Sequence, residues 1–444
     1  MTSGIETRMR AEWNERAIED AHYYVAFGRR DQDDAEFYAT AKDLVGELVS
    51  ELKRLPVAPS GKHKRALEIG CGPGRLLRPM SHYFNQIYGV DVSDAMVKLA
   101  REKLSDVPNA FPHAIGGSDL KIFPDRHFDF VYSYAVFQHI PDPDVVVSYL
   151  RETVRVLRPG GIARLQINGL PKDSKAYTTW EGVRVSSEEI HALTREYGMD
   201  LLALTGVDSQ YMWTTWRKPA SVQGNVGQDG ILRPIGNRPP PSTMCRVRAV
   251  SNAFSSEQAV PAGGRLACVA VSVENLPEGC DLNTLTVSID DAPGRVCYVG
   301  PRGRNGFSQI NVFLPKNVRT GLLPLRIDWH AKQLAQLKYV RVIPPGPAVP
   351  RLNSLTDAVN LMSTTRIESR LIKASIEEVD SIETFYATVA GVPVEKIETF
   401  RADPLTERWE VNFEIPQAVG AGGHPLEIRL GNRILAKMGI EVLR

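Results

Sequence analysis

Several features that would place a sequence quickly are scarce in this one. Five cysteines in 444 residues, Cys71, Cys245, Cys268, Cys280 and Cys297, contain no C-x-x-C pair. That argues against a disulfide framework and a paired-cysteine metal site, and points to reduced, buried thiols. An excess of either charge is also missing: 53 Lys+Arg stand against 52 Asp+Glu, a formal net charge of +1. No overall field therefore draws the chain to nucleic acid or to an anionic membrane. No apolar run is long enough to span a bilayer, and the opening "MTSGIETRMRAEWNERAIED" is polar where a signal peptide needs an apolar stretch. The expectation is a cytoplasmic location, with no membrane span, no metal site and no nucleic-acid partner.

What is present is enough chain for about three domains. Between Ala35 and Leu55 the apolar positions Phe37, Ala41, Leu44, Val45, Leu48, Leu52 and Leu55 recur at helical spacing. From there strands and helices alternate: "RALEIG" (strand), "GRLLRPMSHYF" (helix), "QIYGVDVS" (strand), then "DAMVKLAREKL" as a helix capped at Ser93/Asp94. The series continues with "FDFVYSYAVF" (strand and loop), "PDVVVSYLRETVRVL" (helix), a "RPGG" turn, the strand "IARLQIN", a capped helix "SSEEIHALTREYG", and the strands "DLLALTGV" and "QYMWTTWRK". Such alternation predicts an α/β domain on a mostly parallel sheet, read as seven strands and complete near Pro219.

Beyond Pro219 the character changes. "QGNVGQDGILRPIGNRPPPSTM" is dense in Gly, Pro and Asn, and reads as a linker. Short alternating stretches follow, among them "RLACVAVSVENL", "TLTVSID", "SQINVFLP" and "LLPLRIDW", the look of β-sandwiches. An internal repeat divides them: "INVFLPKNVRTGLLPLRI" aligns with "VNFEIPQAVGAGGHPLEI", placing Asn311 with Asn412, Pro315 with Pro416 and Gly321 with Gly422, each pair 101 positions apart. The expected boundaries are 1–220 for the α/β domain with an N-terminal helical cap, 221–243 for the linker, and 244–345 and 346–444 for two all-β repeats.

The stretch "LEIGCGPGRL", Leu67 to Leu76, carries the sharpest signal. Gly70, Gly72 and Gly74 form G-x-G-x-G between a strand and a helix, where a backbone without side chains lets a nucleotide-like ligand approach closely. Asp91 ends the next strand, where a carboxylate can accept both hydroxyls of a ribose. Glu68 separates the candidate ligands, since a carboxylate at the loop's mouth repels a pyrophosphate and welcomes a cation or zwitterion. Pro73 removes one N–H from the loop, and "GRLL" stands where a phosphate-binding loop has G-K-[ST].

With those residues in place, "ALEIGCGPGRL", "YGVDVSDAMVKLARE" and "GSDLKIFPDRHFDFVYSYAVFQHIPDPDVVVSYLRETVRVLRPGG" resemble the successive motifs of class I S-adenosylmethionine-dependent methyltransferases of the small-molecule type. The resemblance is close over residues 66–165 and looser over about 10–219. It implies a Rossmann-like sheet and S-adenosylmethionine as cofactor, with Glu68, Gly70, Gly72 and Gly74 around the methionine moiety and Asp91 on the ribose. It further places Val92 and Met96 beside adenine and ribose, Ser118, Asp119 and Leu120 at the adenine edge, and Tyr134 facing the transferring methyl. "WNERAIEDAHYYVAFG" resembles a cap segment of some bacterial members, in which Trp13, Arg16, Tyr23 and Tyr24 could close over cofactor or substrate. The C-terminal pair resembles bacterial immunoglobulin-like repeats.

Methyl transfer from a sulfonium needs alignment above all, and a general base only when the acceptor must lose a proton. His139, in "FQHIPDP", is the histidine that the family pattern puts beside the transfer region, and it is the candidate catalytic residue. No N-P-P-Y motif follows the fourth strand, which counts against methylation of DNA bases. The reading at this level is methyl transfer to a small-molecule, lipid or glycan-linked acceptor, with the β-repeats serving recognition or assembly through a protein or glycan partner. Two rivals are a non-catalytic S-adenosylmethionine-binding protein and a nicotinamide-dependent oxidoreductase; Glu68 in front of the glycines fits the second poorly.

Overall fold

The computed structural model describes residues 3–26, 33–55, 63–172, 176–220, 245–264, 266–303, 305–346, 349–358, 365–403 and 407–443. The stretch expected as a linker, 221–243, lies outside them. In the N-terminal part the strands are β1 (His63–Ile69), β2 (Phe84–Asp91), β3 (Ala110–Ala114), β4 (Phe128–Ser133), β5 (Leu157–Ile167), β6 (Asp200–Thr205) and β7 (Met212–Arg217). They lie in the order β3-β2-β1-β4-β5-β7-β6. β1 to β5 are parallel, and β7 runs antiparallel between β5 and β6. The winding direction reverses between β1 and β4, so a crevice opens at their C-terminal ends, the usual ligand position in such sheets.

Seven helices among the described residues surround this sheet: α1 (Ser3–Ala26), α2 (Asp34–Ala39), α3 (Lys42–Glu51), α4 (Leu77–Met80), α5 (Asp94–Lys103), α6 (Pro143–Val156) and α7 (Ser187–Glu196). Alternation along the strands feeds two cores. Ala66 and Phe130 pack with Leu48, Leu77 and Ala100 on one face, while Leu67 and Val131 pack with Val146, Leu150 and Ile190 on the other. The expected caps are in place. Ser93 Oγ accepts from Met96 N and opens α5, and Ser186 with Glu189 forms a capping box on α7.

Four local expectations are revised. The helix read from Ala35 to Leu55 is two helices and a 3₁₀ turn, because Asp33 caps a short α2 and the chain turns at Thr40. The helix after the glycine loop is one turn of α plus a 3₁₀ turn, so that Phe84 already starts β2. The "RPGG" turn is part of β5, with Gly160 at φ +77°. The seventh strand, beyond the six that the sequence pattern marks, is β3: "AFPHA" is short and carries Pro112, which suits it to the sheet's outer position.

The C-terminal half contains strands and turns. Its first part comprises β8 (Arg246–Asn252), β9 (Ala259–Pro261), β10 (Cys268–Glu274), β11 (Leu285–Ile289), β12 (Ala292–Val299), β13 (Phe307–Phe313), β14 (Gly321–Trp329), β15 (Lys332–Gln333) and β16 (Lys338–Ile343). The second comprises β17 (Arg351–Asp357), β18 (Arg366–Ile367), β19 (Leu371–Glu377), β20 (Phe385–Val389), β21 (Val392–Pro393), β22 (Glu395–Asp403), β23 (Arg408–Glu414), β24 (Gly422–Leu430) and β25 (Arg433–Val442). β8-β10-β13-β12 in the first matches β17-β19-β23-β22 in the second. Likewise β9-β16-β14-β11 matches β18-β25-β24-β20. Gly321 and Gly422, aligned in the sequence repeat, open β14 and β24 at φ +133° and +129°.

The first part is docked on the α/β sheet. β12 pairs with the edge strand β6 through Tyr298 and Ala203, Leu282 N donates to Leu201 O at 2.8 Å, and Asp281 accepts from Leu201 N at 2.9 Å. Arg54, held by Glu51, donates to Val299 O and lies over the Tyr298 ring. Apolar side chains of both parts, Leu201 and Leu204 with Cys280, Leu282 and Val299, belong to one continuous core. The second part has its own core around Ile376, Val411, Phe413 and Ile428. All five cysteines are free thiols, four of them buried. Among the described residues no helix is long and apolar enough to cross a membrane, and no His/Cys/Asp/Glu cluster could hold a metal.

Candidate functional site

At the β1/β4 crevice a cavity forms where the loop after β1, the end of β2, the segment after β4 and α1 meet. Glu68, Gly70, Gly72, Asp91, Val92, Met96, Tyr134 and His139 all line it. The glycines are required by geometry. Gly70 has φ +75°, and a Cβ there would lie 2.1 Å from Val136 Cγ2. Gly72, at φ +50°, faces Val25 of α1. Gly74 supports the loop from behind: its absent Cβ would press on Leu104 at 2.9 Å, and it does not line the cavity.

Asp91 closes the loop onto β2, its Oδ2 accepting from Gly72 N and its Oδ1 from Ser93 N, both at 2.9 Å. Burial raises its pKa and these backbone donors oppose the rise. Val92 N–H is a third backbone donor to this carboxylate, which still has lone-pair capacity for a hydroxyl donor. Glu68 is almost completely buried and takes a hydrogen bond from Tyr132 Oη at 3.0 Å. Burial pushes its carboxyl up to about 8, against the opposing pull of Tyr132 and Arg75.

His139 sits in the cavity wall, edge-on to Trp13 at 5.4 Å and near Trp180. Its Nδ1 faces Thr179 O at 3.1 Å and so carries the proton; Nε2 accepts from Gln138 Nε2 at 3.2 Å. Gln138 Oε1 in turn accepts from Gln166, whose own oxygen holds Ala135 N in a left-handed turn. Burial, with Arg16 nearby, depresses the imidazole to about 4, so it is neutral at physiological pH.

α1 covers the cavity as a jointed cap. Asp20 leaves the helical conformation and its Oδ1 accepts from Tyr23 N, restarting the helix at an angle. Arg16 lies over both Trp13 and Trp180, at 4.6 and 5.5 Å, and donates to Thr179 Oγ1, which also bonds Glu12. Trp13 and Tyr24 line the cavity; Arg16 clamps the cap from outside the wall.

Ser118, Asp119 and Leu120 are not in the wall. Leu120 is buried with its N–H on Glu152, and Asp119 pairs with Lys121. Their loop packs behind Val92, which a Cβ on Gly117 would meet at 2.9 Å. Sequence reasoning missed Arg75 and Tyr149, both buried and both lining the cavity. The signal for Arg75 was a cation directly after three glycines; Tyr149 reads as an ordinary apolar-face residue of α6.

Sequence comparisons agree with this geometry. The family model described as a methyltransferase domain matches residues 67–165. The 27-O-demethylrifamycin SV methyltransferase of Amycolatopsis mediterranei is 30% identical over 197 residues, covering 41% of this chain and 70% of that protein. The ubiquinone biosynthesis O-methyltransferase of Nitrosospira multiformis is 25% identical over 164 residues, covering 32% of this chain and 66% of that one. Among solved structures, phosphoethanolamine N-methyltransferase 1 of Haemonchus contortus, in complex with phosphoethanolamine and S-adenosylhomocysteine, is 15% identical over 50% of this chain and 51% of its own, with a TM-score of 0.33. The chain belongs to the methyltransferase family. S-adenosylmethionine is its cofactor, and the residues fit that group: a glycine cradle that side chains would fill, a carboxylate with free lone pairs at the end of β2, and a second buried carboxyl at the end of β1.

Proposed function

We propose that this protein methylates a small-molecule, lipid or glycan-linked acceptor in the cytoplasm. The observation that carries the reading is one cavity that brings Glu68, Gly70, Gly72 and Asp91 together with an aromatic wall of Trp13, Tyr24, Tyr134 and His139. The names of the relatives above, acting in quinone and rifamycin methylation, favour a small organic acceptor. The wall favours a flat or apolar one.

When bound, the cofactor supplies a methyl on a sulfonium, open to in-line displacement by an acceptor's lone pair. Asp91 holds the ribose hydroxyls and Glu68 the ammonium. Met96 and Val92 give apolar contact for the nucleoside, and Ser118, Asp119 and Leu120 form the outer support of the adenine end. Tyr134 and His139 border the acceptor. In this assignment His139 Nε2 turns from Gln138 to an acceptor hydroxyl and takes its proton as the new bond forms. Its tautomer, set by Thr179 O, suits that role, while its depressed basicity limits the gain to the lower part of the usual general-base range.

We read the C-terminal strands as two tandem immunoglobulin-like β-sandwiches, over 244–345 and 346–444, that serve recognition or assembly. The matched strand orders and the paired glycines of β14 and β24 support the repeat.

Calorimetry and turnover test the site together. Asp91→Ala should weaken S-adenosylmethionine binding by at least tenfold through loss of charge-assisted hydrogen bonds. His139→Ala should lower turnover by about 10² with cofactor affinity unchanged. Unchanged affinity in the first variant overturns the cofactor assignment, and a loss below about fivefold in the second returns His139 to a positioning role.

A further inference from the structure

Arg75 is the unexplained charge of the cavity. It follows Gly74, is only 6% exposed, and lines the cavity beside Glu68 and Tyr134. Its guanidinium carbon lies 5.5 Å from the Tyr134 ring centroid, and Nη1 donates to Thr40 Oγ1 at 3.2 Å. Nε has no hydrogen-bond partner among the described residues. Arg54, Arg78 and Arg155 of this domain are neutralised at short range by Glu51, Asp106 and Glu152, and the buried Arg164, which is not in the cavity lining, donates to Thr215 Oγ1. Arg75 makes no such ion pair among the described residues. Glu68 attracts it from a distance, but that carboxyl is bonded to Tyr132 and makes no ion pair with it.

A guanidinium buried without an anion is costly, and its planar fork is built for a carboxylate. Tyr134 supports the guanidinium from its ring face and leaves the fork's edge for a partner. We propose that Arg75 is the carboxylate-binding residue of the cavity. This inference rests on the cofactor reading above. The carboxylate has two possible sources: the methionyl end of the cofactor, where Glu68 and Arg75 side by side would read an α-amino acid zwitterion, or an acidic acceptor lying against Tyr134.

Titration calorimetry on the full chain separates them. The probes are S-adenosylhomocysteine, its decarboxylated analogue, 5′-methylthioadenosine, and benzoate added to protein loaded with S-adenosylhomocysteine. If the cofactor is the source, removing its carboxylate weakens binding to the wild type by at least 30-fold. In Arg75→Gln that difference shrinks below threefold, with 5′-methylthioadenosine unchanged. If an acceptor is the source, the two homocysteine compounds bind alike, while benzoate binds the loaded wild type and weakens at least tenfold in Arg75→Gln. A wild type indifferent to the carboxylate on both kinds of probe overturns the proposal, as does an equal loss of 5′-methylthioadenosine in the variant, which would mark a structural role. The wild-type comparison stands even if Arg75→Gln fails to fold. If no adenosine compound binds the wild type, the cofactor reading fails instead.

Discussion

In the first part of the C-terminal half, β12 turns its outer edge to β6 and closes the α/β sheet through Tyr298 and Ala203. In the second part β22, which has the matching place in the strand order, pairs among the described residues with β23 alone and carries Glu395, Lys396, Glu398 and Arg401 along its length. Charged side chains on a free edge deter further strand pairing. One strand plan is therefore used twice in different ways: as a brace built into the catalytic unit, and as a module that closes on itself. The expectation that the α/β domain seals its own core near Pro219 differs from the structure on this point, since Cys280, Leu282 and Val299 extend that core.

The largest test of this contrast is truncation. A chain ending near residue 346 should keep the melting temperature of the cofactor-binding unit within about 2 °C of the full chain. A chain ending near residue 220 exposes the β6 edge and part of a shared core, and should melt at least 10 °C lower or aggregate. Scanning calorimetry distinguishes the outcomes, and equal stability of the two truncated chains would erase the contrast.

A finer test uses one buried aspartate from each part of the C-terminal half. Asp281 accepts from Leu201 N, Thr284 N and Thr284 Oγ1; Asp357 accepts from Glu368 N, Ser369 N and Ser369 Oγ. Replacing either by Ala strands buried donors at a cost of about 2–3 kcal/mol. Asp281→Ala should lower the transition that carries cofactor binding, and Asp357→Ala only the other. Both variants shifting the same transition would show that the two parts unfold as one.

The smallest expected effect labels the first unit by pH. The carboxyl of Glu68 sits at about 8 in the folded protein, above its ordinary value of 4.5. The folded state thus holds a proton that the unfolded state releases. That contribution is complete below about pH 4.5 and is lost as pH rises through about 8. Denaturation of the first unit at pH 5 and pH 8 should show a drop in stability across this interval that Glu68→Gln largely removes. The second part should not respond to that substitution.

Much of the cofactor side of this site is legible in the sequence because its demands are local. Gly70 and Gly72 need positive φ, Ser93 caps α5, and Asp91 ends a strand; each leaves a trace within a few residues. Arg75 leaves no such trace, because an arginine at a helix start ordinarily faces solvent, and its burial depends on Thr40 and Tyr134, far away in the chain. The jointed α1 depends on a single aspartate accepting from Tyr23 N. The seam between β6 and β12 leaves no local mark, because "DLLALT" reads the same whether its edge meets water or another strand. β3 escaped because five residues with a central proline fall below any periodicity.

The closing of β6 by β12 also sets an order of events during synthesis. The α/β strands are complete once Arg217 has been added, whereas Tyr298 arrives about 80 residues later. At roughly 5–20 residues per second, the nascent chain carries an apolar, unpaired sheet edge for about 4–16 s before its own partner exists. That interval is the period in which another copy of the chain, or a chaperone, can reach β6 first.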